Sequence, residues 1–460
     1  IPAALQNEEQ YLSERMQYLR LKLAQQQAED SLYFAEWQRE LFSMTQQWEV
    51  FLSTLERDFP RYHELKYQLP FADITEVRNS VIADNEMLLS FTDLDHQVLC
   101  LGIGENETFF HLMPLPVSLQ AIVPQLRKYL ADRSIQYYPL ANQLYEHLLA
   151  PTRRYWQGKH LVFIPDGQLW YVPFNALPTN ATSQRAEQIT FLVQETDLRW
   201  LYAAHRSMPG GSSTTNYRTQ WLGMAPFGEA LHSTKQTDAV LPALPGSLRE
   251  IHRTESILSQ WQSQKLVNSA ASKSAFLAHA RHAQIVHVST HALSNEEEPL
   301  LSALFLRHDE HPLLWSDPLY AAEIVTASIP AELVVLSACE TQSGPYRAGE
   351  GVLSIGRAFL QAGAQALIGS LWPVSDAATA ELMPLFYQGL SEGKSTGEAL
   401  RQAQMNFLDQ QDRLTAHPHY WAGFVLVGQE HTFQQEKSKI LWIVGAVGLL
   451  GILGFLFRKK

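Results

Sequence analysis

Cysteine is scarce in this sequence, because Cys100 and Cys339 are the only two in 460 residues. Two thiols so far apart supply neither a disulfide framework nor the cysteine-rich ligand set of a structural zinc site. The 17 histidines show no HExxH-like spacing, the pattern of a helical zinc site. We therefore expect no metal and no cofactor. A single cysteine is most often a small buried hydrophobe, which is the role predicted for Cys100.

Positive charge is also in short supply. The chain has 35 lysines and arginines against 47 aspartates and glutamates, which gives a formal net charge of −12. A general nucleic-acid binder would show a basic surface, so no nucleic-acid partner is expected. Hydrophobic residues make up 46% of the chain and charged residues 18%, the balance of a globular protein with a large core. A chain of this length should form roughly two to four domains.

Long hydrophobic runs are absent until residues 440–457, which contain neither charge nor proline and precede three basic residues. A run of about 18 apolar residues just reaches the length needed to cross a bilayer. We predict a transmembrane helix there, after a polar linker at residues 431–439, and hence a single-pass membrane protein. The basic tail favours a cytoplasmic C-terminus, but two lysines in the linker leave the orientation open. The first residue, Ile1, is not methionine, which predicts a fragment or a processed product.

Glycine is missing from residues 1–72, where apolar side chains recur at helical spacing. This pattern predicts a long helical region made of two helices, with breaks near residues 28–31 and at Pro60. Helix pairs of this kind often close an array of helical repeats, so the region is a candidate for the end of such an array.

The remainder of the chain has an α/β pattern. Residues 75–155 predict a small antiparallel meander followed by two helices. From residue 156 to 430, short apolar strands alternate with helices, which is typical of a parallel sheet. One of these helices is predicted at residues 246–261 with Ser247 as its N-cap, and residues 207–218 are predicted to be a flexible loop.

Two stretches of the α/β region end in reactive side chains. IVHVSTHA, at residues 285–292, leads to His291, and LVVLSACETQSG, at residues 333–344, contains Cys339. Each begins as a short β-branched run, which predicts a strand buried on both faces. The carboxyl ends of parallel strands meet at one edge of a sheet, where ligands and chemistry are found. The sequence therefore predicts a thiol nucleophile with a histidine partner, although 48 positions separate them.

Acyl transfer also requires donors for the oxyanion that develops on the attacked carbonyl. Backbone N–H groups usually supply them. The amides of Cys339 and of Ala292, just past the histidine, are the candidates. Small residues beside both would allow a peptide backbone to approach closely.

Five blocks of sequence, taken together and in order, resemble the CHAT family of caspase-like cysteine proteases. The resemblance extends from about residue 75 to 430, and separases and caspases share the general fold of this clan. It implies a caspase-like, mostly parallel sheet with helices on both faces, His291 and Cys339 as the catalytic dyad, and an upstream region of tetratricopeptide repeats that could bind a protein regulator. Ala292 stands where relatives often have glycine. The blocks are STHA, LSACETQSG, GEG, AFLQAGAQALIGSLWPVSD and HPHYWAGFVLVGQ.

Four further residues are candidates for substrate binding. Asp376 resembles the acid that receives a basic side chain in separase-like relatives, with helix capping as the alternative. Trp372 could form a wall of the same pocket. Glu340 and Gln342 flank the nucleophile and could line the substrate groove or belong to a solvated loop.

The function expected from these residues is that of a membrane-anchored cysteine endopeptidase acting on protein substrates. The fold class is α/β, preceded by the helical region and followed by the transmembrane helix. Two alternatives remain open at this stage: a catalytically silent CHAT-fold scaffold at the membrane, and an acyltransferase or other thiol hydrolase. Excess carboxylate near the dyad favours cleavage after basic residues.

Overall fold

The computed structural model divides the chain into two compact units, residues 1–72 and residues 73–460. It describes individual helical positions between 5 and 19 and then the segments 33–59, 73–180, 189–204, 217–230, 241–295, 301–311, 316–337, 346–347, 351–352, 355–410 and 416–433. Cys339, Glu340, Gln342, most of the 207–218 loop and the 440–457 segment lie outside the described residues. Within the described residues, no helix is long and apolar enough to cross a membrane.

The first unit is helical, as its residue spacing predicts. Helix α1 spans Phe34–Asp58. Its apolar side shares a small core with the earlier helical positions, because side chains three and four residues apart lie on one face of a helix. The buried residues of this core are Leu12, Met16, Leu19, Met44, Phe51 and Leu55.

The second unit alternates strands and helices. Its helices are α2 (Ile74–Ser80), α3 (Leu119–Ala131), α4 (Tyr137–Leu148), α5 (Arg153–Trp156), α6 (Leu192–Glu195), α7 (Pro245–Ile257), α8 (Lys273–Ala280), α9 (Ala321–Thr326), α10 (Ile355–Gln361), α11 (Asp376–Ser391) and α12 (Thr396–Gln410). Its strands are β1 (Glu86–Asp93), β2 (Gln97–Gly104), β3 (Thr108–Pro114), β4 (His160–Ile164), β5 (Leu198–Trp200), β6 (Thr219–Ala225), β7 (Ser263–Val267), β8 (Ala283–Ser289), β9 (Ala292–Leu293), β10 (Ala303–Arg307), β11 (Ser316–Tyr320), β12 (Leu333–Ser337), β13 (Tyr346–Arg347), β14 (Gly351–Val352), β15 (Ala366–Ser370) and β16 (Phe424–Gly428).

Eleven of the described strands form one sheet in the order β3-β2-β1-β4-β5-β16-β15-β12-β8-β6-β7. Strands β15, β12, β8, β6 and β7 are mutually parallel, and so are β1, β4, β5 and β16. The two groups run in opposite directions and meet where β15 pairs antiparallel with β16. The expectation of a mostly parallel α/β sheet is confirmed. The predicted antiparallel meander, β1–β3, continues this sheet because β1 pairs with β4.

Both faces of the sheet are covered by helices. Along β8 and β12, alternate side chains enter two separate apolar clusters, as the period of a strand requires. Ile285 and Val335 belong to one cluster, and Val286 and Val334 to the other. Helices α7, α11 and α12 contribute to the first cluster, and helices α8, α9 and α10 to the second.

Three local predictions differ from the structure. The apolar segment ALFLR, at residues 303–307, is predicted as one strand of the alternating parallel series. It is instead β10 of a separate three-stranded sheet, ordered β11-β10-β9, because the short connection from β9 favours an antiparallel neighbour. The pattern also predicts a helix from Gly351 to Ala362, but helix α10 begins at Ile355 and Gly351 lies in β14, in keeping with the low helix propensity of glycine. Helix α7 begins at Pro245, a favoured first residue. The Ser247 hydroxyl donates to the Leu244 carbonyl, so Ser247 is not the N-cap.

Candidate active site

The strand that leads to His291 and the strand that leads to Cys339 are direct neighbours. β8 and β12 pair in parallel, with Ser289 opposite Ser337. In the sequence His291 follows Ser289 by two positions, and Cys339 follows Ser337 by two. The expectation that both reactive residues follow neighbouring parallel strands is therefore met by the register, while the Cys339 side chain itself lies outside the described residues.

The His291 imidazole is held by a backbone carbonyl. Its Nε2 lies 2.8 Å from the Pro242 oxygen, and because a carbonyl can only accept, Nε2 must carry the proton. In the neutral ring this leaves the lone pair on Nδ1, the nitrogen that can act as a base. The Phe227 ring packs beside the imidazole, with centroids 5.2 Å apart. One tautomer and one ring orientation are thereby favoured.

Phe227 is itself held from two sides. The Leu244 N–H donates to the Phe227 carbonyl at 2.6 Å. The buried Arg307 guanidinium donates from Nε to Pro226 O and from Nη2 to Glu229 O, at 2.6 Å each. Its Cζ also lies 5.0 Å from the Phe227 ring centroid. The Phe227 ring beside the imidazole is therefore held in place by hydrogen bonds to its own backbone and to the backbone of residues before and after it.

The Ala292 amide is placed at a strand edge. Ala292 begins β9 opposite Leu304, and the Phe305 N–H donates to the His291 carbonyl at 2.9 Å. Hydrogen-bonded and non-hydrogen-bonded pairs alternate in an antiparallel ladder, so the Ala292 N–H is directed away from β10. The Ala292 N–H, the predicted oxyanion donor, is therefore not used in the hydrogen bonds between β9 and β10.

Asp376 is the first residue of α11, and its carboxylate is partly engaged. Oδ2 accepts from the Gly246 N–H at 2.7 Å. The N-cap of α11 is Ser375, whose hydroxyl accepts from the Ala378 N–H, so the capping alternative for Asp376 is wrong. One carboxylate oxygen of Asp376 holds the first turn of α7.

Trp372 follows β15 and is 8% exposed. Its indole Nε1 donates to the His419 carbonyl at 3.0 Å, which fixes the ring beside Gly423. The structure therefore places Trp372 and Asp376 after β15, whose neighbour β12 precedes Cys339, while Glu340 and Gln342 lie outside the described residues.

A buried polar cluster behind the dyad positions was not predicted. The Glu250 carboxylate of α7 is 0% exposed and accepts from Ser337 Oγ at 2.6 Å and from Ser289 Oγ at 3.0 Å. His287 Nε2 lies 2.8 Å from the same carboxylate and 3.1 Å from Ser337 Oγ. A local signal was present: His287, Ser289 and Ser337 lie on one face of two mostly apolar buried strands, and the two serines are opposite each other. Glu250 gave no such signal, because a glutamate in a helix usually faces solvent.

The remaining candidates are packed in the core. Cys100 is buried, and burial raises the pKa of its thiol to about 12, in agreement with its predicted inert role. Burial lowers the pKa of His417 to about 4 and also lowers that of His419, and His417 packs against Tyr137 and Tyr138. No group of three or more potential metal ligands is found in the described part of the chain.

This chain is similar to a known domain family and to two curated proteins. A sequence model of the CHAT domain matches residues 138–429. Tetratricopeptide repeat protein 28 of Homo sapiens is 26% identical over 340 residues, which cover 66% of this chain and 14% of that protein. Its Mus musculus counterpart is 26% identical over 345 residues, with the same coverage. The chain therefore spans about one seventh of these curated relatives.

Among solved structures, the crystal structure of the Saccharomyces cerevisiae separase–securin complex has a TM-score of 0.51 at 9% identity. The likeness covers 76% of this chain and 30% of that one. At this identity it shows a shared fold.

Proposed function

Because this chain belongs to the CHAT domain family, we propose that it is a cysteine endopeptidase with Cys339 as nucleophile and His291 as acid and base. The observation that carries the proposal is the hydrogen bond from His291 Nε2 to the Pro242 carbonyl. A backbone acceptor on one ring nitrogen orients the other nitrogen for proton transfer, as the third group of a nucleophile–base–orienter set does.

The chemistry follows from that orientation. His291 Nδ1 takes the thiol proton, and the Cys339 sulfur attacks the scissile carbonyl carbon. The Ala292 and Cys339 amides donate to the oxyanion. As the C–N bond breaks, the imidazolium returns its proton to the leaving amine. His291 then takes a proton from water, which attacks the thioester, releases the acid product and restores the thiol.

An irreversible thiol-directed peptide probe tests this function on the purified full chain. Wild-type protein should be labelled at Cys339, and both Cys339→Ala and His291→Ala should lose labelling while keeping the wild-type melting temperature. A scaffold without chemistry would give no labelling in any variant. An acyltransferase would be labelled, but it would transfer acyl groups to an added amine and leave peptide substrates intact.

We further propose cleavage after arginine or lysine, with Asp376 as the acid that receives the basic side chain and Trp372 as a wall of the pocket. Because Asp376 Oδ2 accepts from the Gly246 N–H, a bound guanidinium would meet Oδ1. Asp376→Asn is a sharp variant, since its amide oxygen can still accept from Gly246 while the charge is removed. In a peptide library the wild-type enzyme should prefer arginine, and the variant should lose that preference. A wild-type preference for leucine or methionine contradicts the proposal.

The proposal also includes a membrane anchor and a binding region for a protein regulator. The 440–457 segment is proposed to anchor the protein in a membrane, which predicts that alkaline carbonate extracts a variant lacking residues 436–460 but not the full chain.

The names of the curated relatives include tetratricopeptide repeats. The helical residues 1–72 are accordingly proposed to continue an upstream repeat region that binds a protein regulator. Pull-down of one regulator by both the full chain and a variant lacking residues 1–72 would contradict this part.

A further inference from the structure

We propose that Glu250 is a positioning residue for the dyad, and that the chain from Pro242 to Glu250 (hereafter the 242–250 segment) sets the geometry of the active site. This inference rests on the proposed function. Glu250 acts through β8 and β12, the two strands that precede the dyad residues.

The Glu250 carboxylate joins the two strands at equivalent positions. Oε2 accepts from Ser289 and Oε1 accepts from Ser337, which are opposite each other in the ladder. The His287 imidazole adds a third contact to Oε1 at 2.8 Å. Ser289 and Ser337 stand two positions before His291 and Cys339 in the sequence, so Glu250 holds the last residues of the two strands that precede the dyad.

The rest of the 242–250 segment contacts the other parts of the site. Its first residue, Pro242, accepts from His291 Nε2. Gly246 donates to Asp376, and a Cβ at Gly246 would lie 2.5 Å from the Asp376 carboxyl carbon. One stretch of nine residues thus holds the imidazole, the proposed substrate-binding acid and both strand ends.

A purely stabilising role would not require a carboxylate here. Burying an ion is costly, and well-packed apolar residues are often at least as stabilising. An apolar replacement, however, would remove the shared acceptor of Ser289, Ser337 and His287, and the 3.1 Å contact between His287 and Ser337 would replace only part of that bonding. A buried carboxylate that bonds to three side chains on two strands restrains their relative positions. Catalysis depends on such precision, since a misplacement of about 1 Å can cost about 100-fold in rate.

Alkylation by iodoacetamide provides a test that needs no substrate. Of the two cysteines in the chain, Cys100 is 0% exposed, so the fast reaction reports Cys339. A thiol paired with an imidazole reacts at lower pH than an ordinary thiol, whose pH midpoint is about 8.5. The pH profile of the alkylation rate is measured for wild-type, His291→Ala, Glu250→Gln and Glu255→Gln proteins, each with its melting temperature. Glu255 is the matched control, because it lies on the same helix and pairs with Lys265 at the surface.

We expect Glu250→Gln to move the midpoint toward that of His291→Ala and to slow alkylation at pH 6.5 by about 10-fold or more, while Glu255→Gln follows the wild type. If His291→Ala itself leaves the profile unchanged, the proposed dyad fails. If His291→Ala shifts the profile and folded Glu250→Gln does not, the dyad stands and the positioning role is overturned. Should Glu250→Gln lack a cooperative unfolding transition, Ser289→Ala removes a single donor and must shift the midpoint in the same direction, or the inference is rejected.

Discussion

The two parallel halves of the sheet each bury a glutamate, and the two are compensated differently. Glu86 of β1 receives both nitrogens of the Arg199 fork at 2.7 Å and the Ala83 N–H at 2.6 Å. Arg199 also donates to the Gly428 carbonyl, which joins β5 to the end of β16. In the other half, the Glu250 carboxylate is bonded to the hydroxyls of Ser289 and Ser337 and to the imidazole of His287.

The difference separates a stabilising ion pair from a cluster that positions two strands. A guanidinium stays protonated at any ordinary pH, and its planar fork matches a carboxylate. The Glu86–Arg199 pair is therefore a constant ionic contact between strands. The Glu250 carboxylate instead bonds to side chains of two adjacent strands, so its main effect is on the relative position of β8 and β12. We expect variants of the first half to change stability alone, and variants of the second to change the reactivity of Cys339 as well.

The largest effect should come from breaking the ionic pair in the first half. Arg199→Met leaves a buried carboxylate without its cation, which should lower the free energy of unfolding by about 3–5 kcal/mol. Urea denaturation measures the loss. The double variant Glu86→Gln/Arg199→Met should recover part of it, because no uncompensated charge remains. The alkylation profile of Cys339 should be unchanged under folding conditions, and a shift there would break the distinction between the halves.

Acid should destabilise the protein through the histidines on either side of β16. Burial lowers the pKa of His417 to about 4, and that of His431 likewise. Between pH 6.5 and 4 the unfolded chain binds protons that the folded chain does not, so stability is complete above pH 6.5 and falls as the pH approaches 4. The loss should be about 3 kcal/mol for His417.

Urea denaturation at pH 7 and pH 4.5 tests the acid effect. His417→Asn should reduce the dependence of the free energy of unfolding on pH, because it removes the titrating imidazole. Asparagine is chosen because its amide oxygen can replace the Nδ1 acceptor of the His419 N–H. The same substitution at the exposed His96 should leave the slope as in the wild type. An equal slope in the wild type and His417→Asn would show that this histidine is not buried in its neutral form.

Two glycine substitutions test the comparison, because each adds one methyl group at a crowded position in one half of the sheet. Gly246→Ala forces a methyl group against Asp376, and should cost about 1–3 kcal/mol while also slowing Cys339 alkylation. Gly428→Ala places a methyl group against the Gln365 carbonyl at a residue with φ of +111°, and should cost at least as much. Only the first should alter alkylation. If both or neither do so, the 242–250 segment has no special relation to the site.

The smallest effect is expected for Cys100→Ala. Removing one buried sulfur should cost about 1 kcal/mol, measured as a shift in the urea midpoint. Because burial raises the pKa of this thiol to about 12, the number of rapidly alkylated cysteines should stay at one. A loss of fast labelling in Cys100→Ala would mean that the reactive thiol had been misassigned.

The strands that lead to the candidate site could be predicted because their sequence patterns are local. The apolar runs that lead to His291 and toward Cys339 are β8 and β12, and β15 and β16 follow the same rule. The Pro242 carbonyl and Glu250 could not be predicted, since their partners lie far away in the chain. The failure at β10 has the same origin, because an apolar strand pattern specifies burial but not which neighbour supplies it.

The amino-acid sequence by itself determined the α/β class and the two buried strands that lead to the candidate dyad, because hydrophobic period and side-chain type act over a few residues. Only the tertiary structure decided that the sheet reverses direction between β15 and β16, that Ser375 rather than Asp376 caps α11, and that Glu250 bonds to both strands before the dyad. Those outcomes depend on which distant groups satisfy buried donors and acceptors. Such pairing is a property of the whole packed chain.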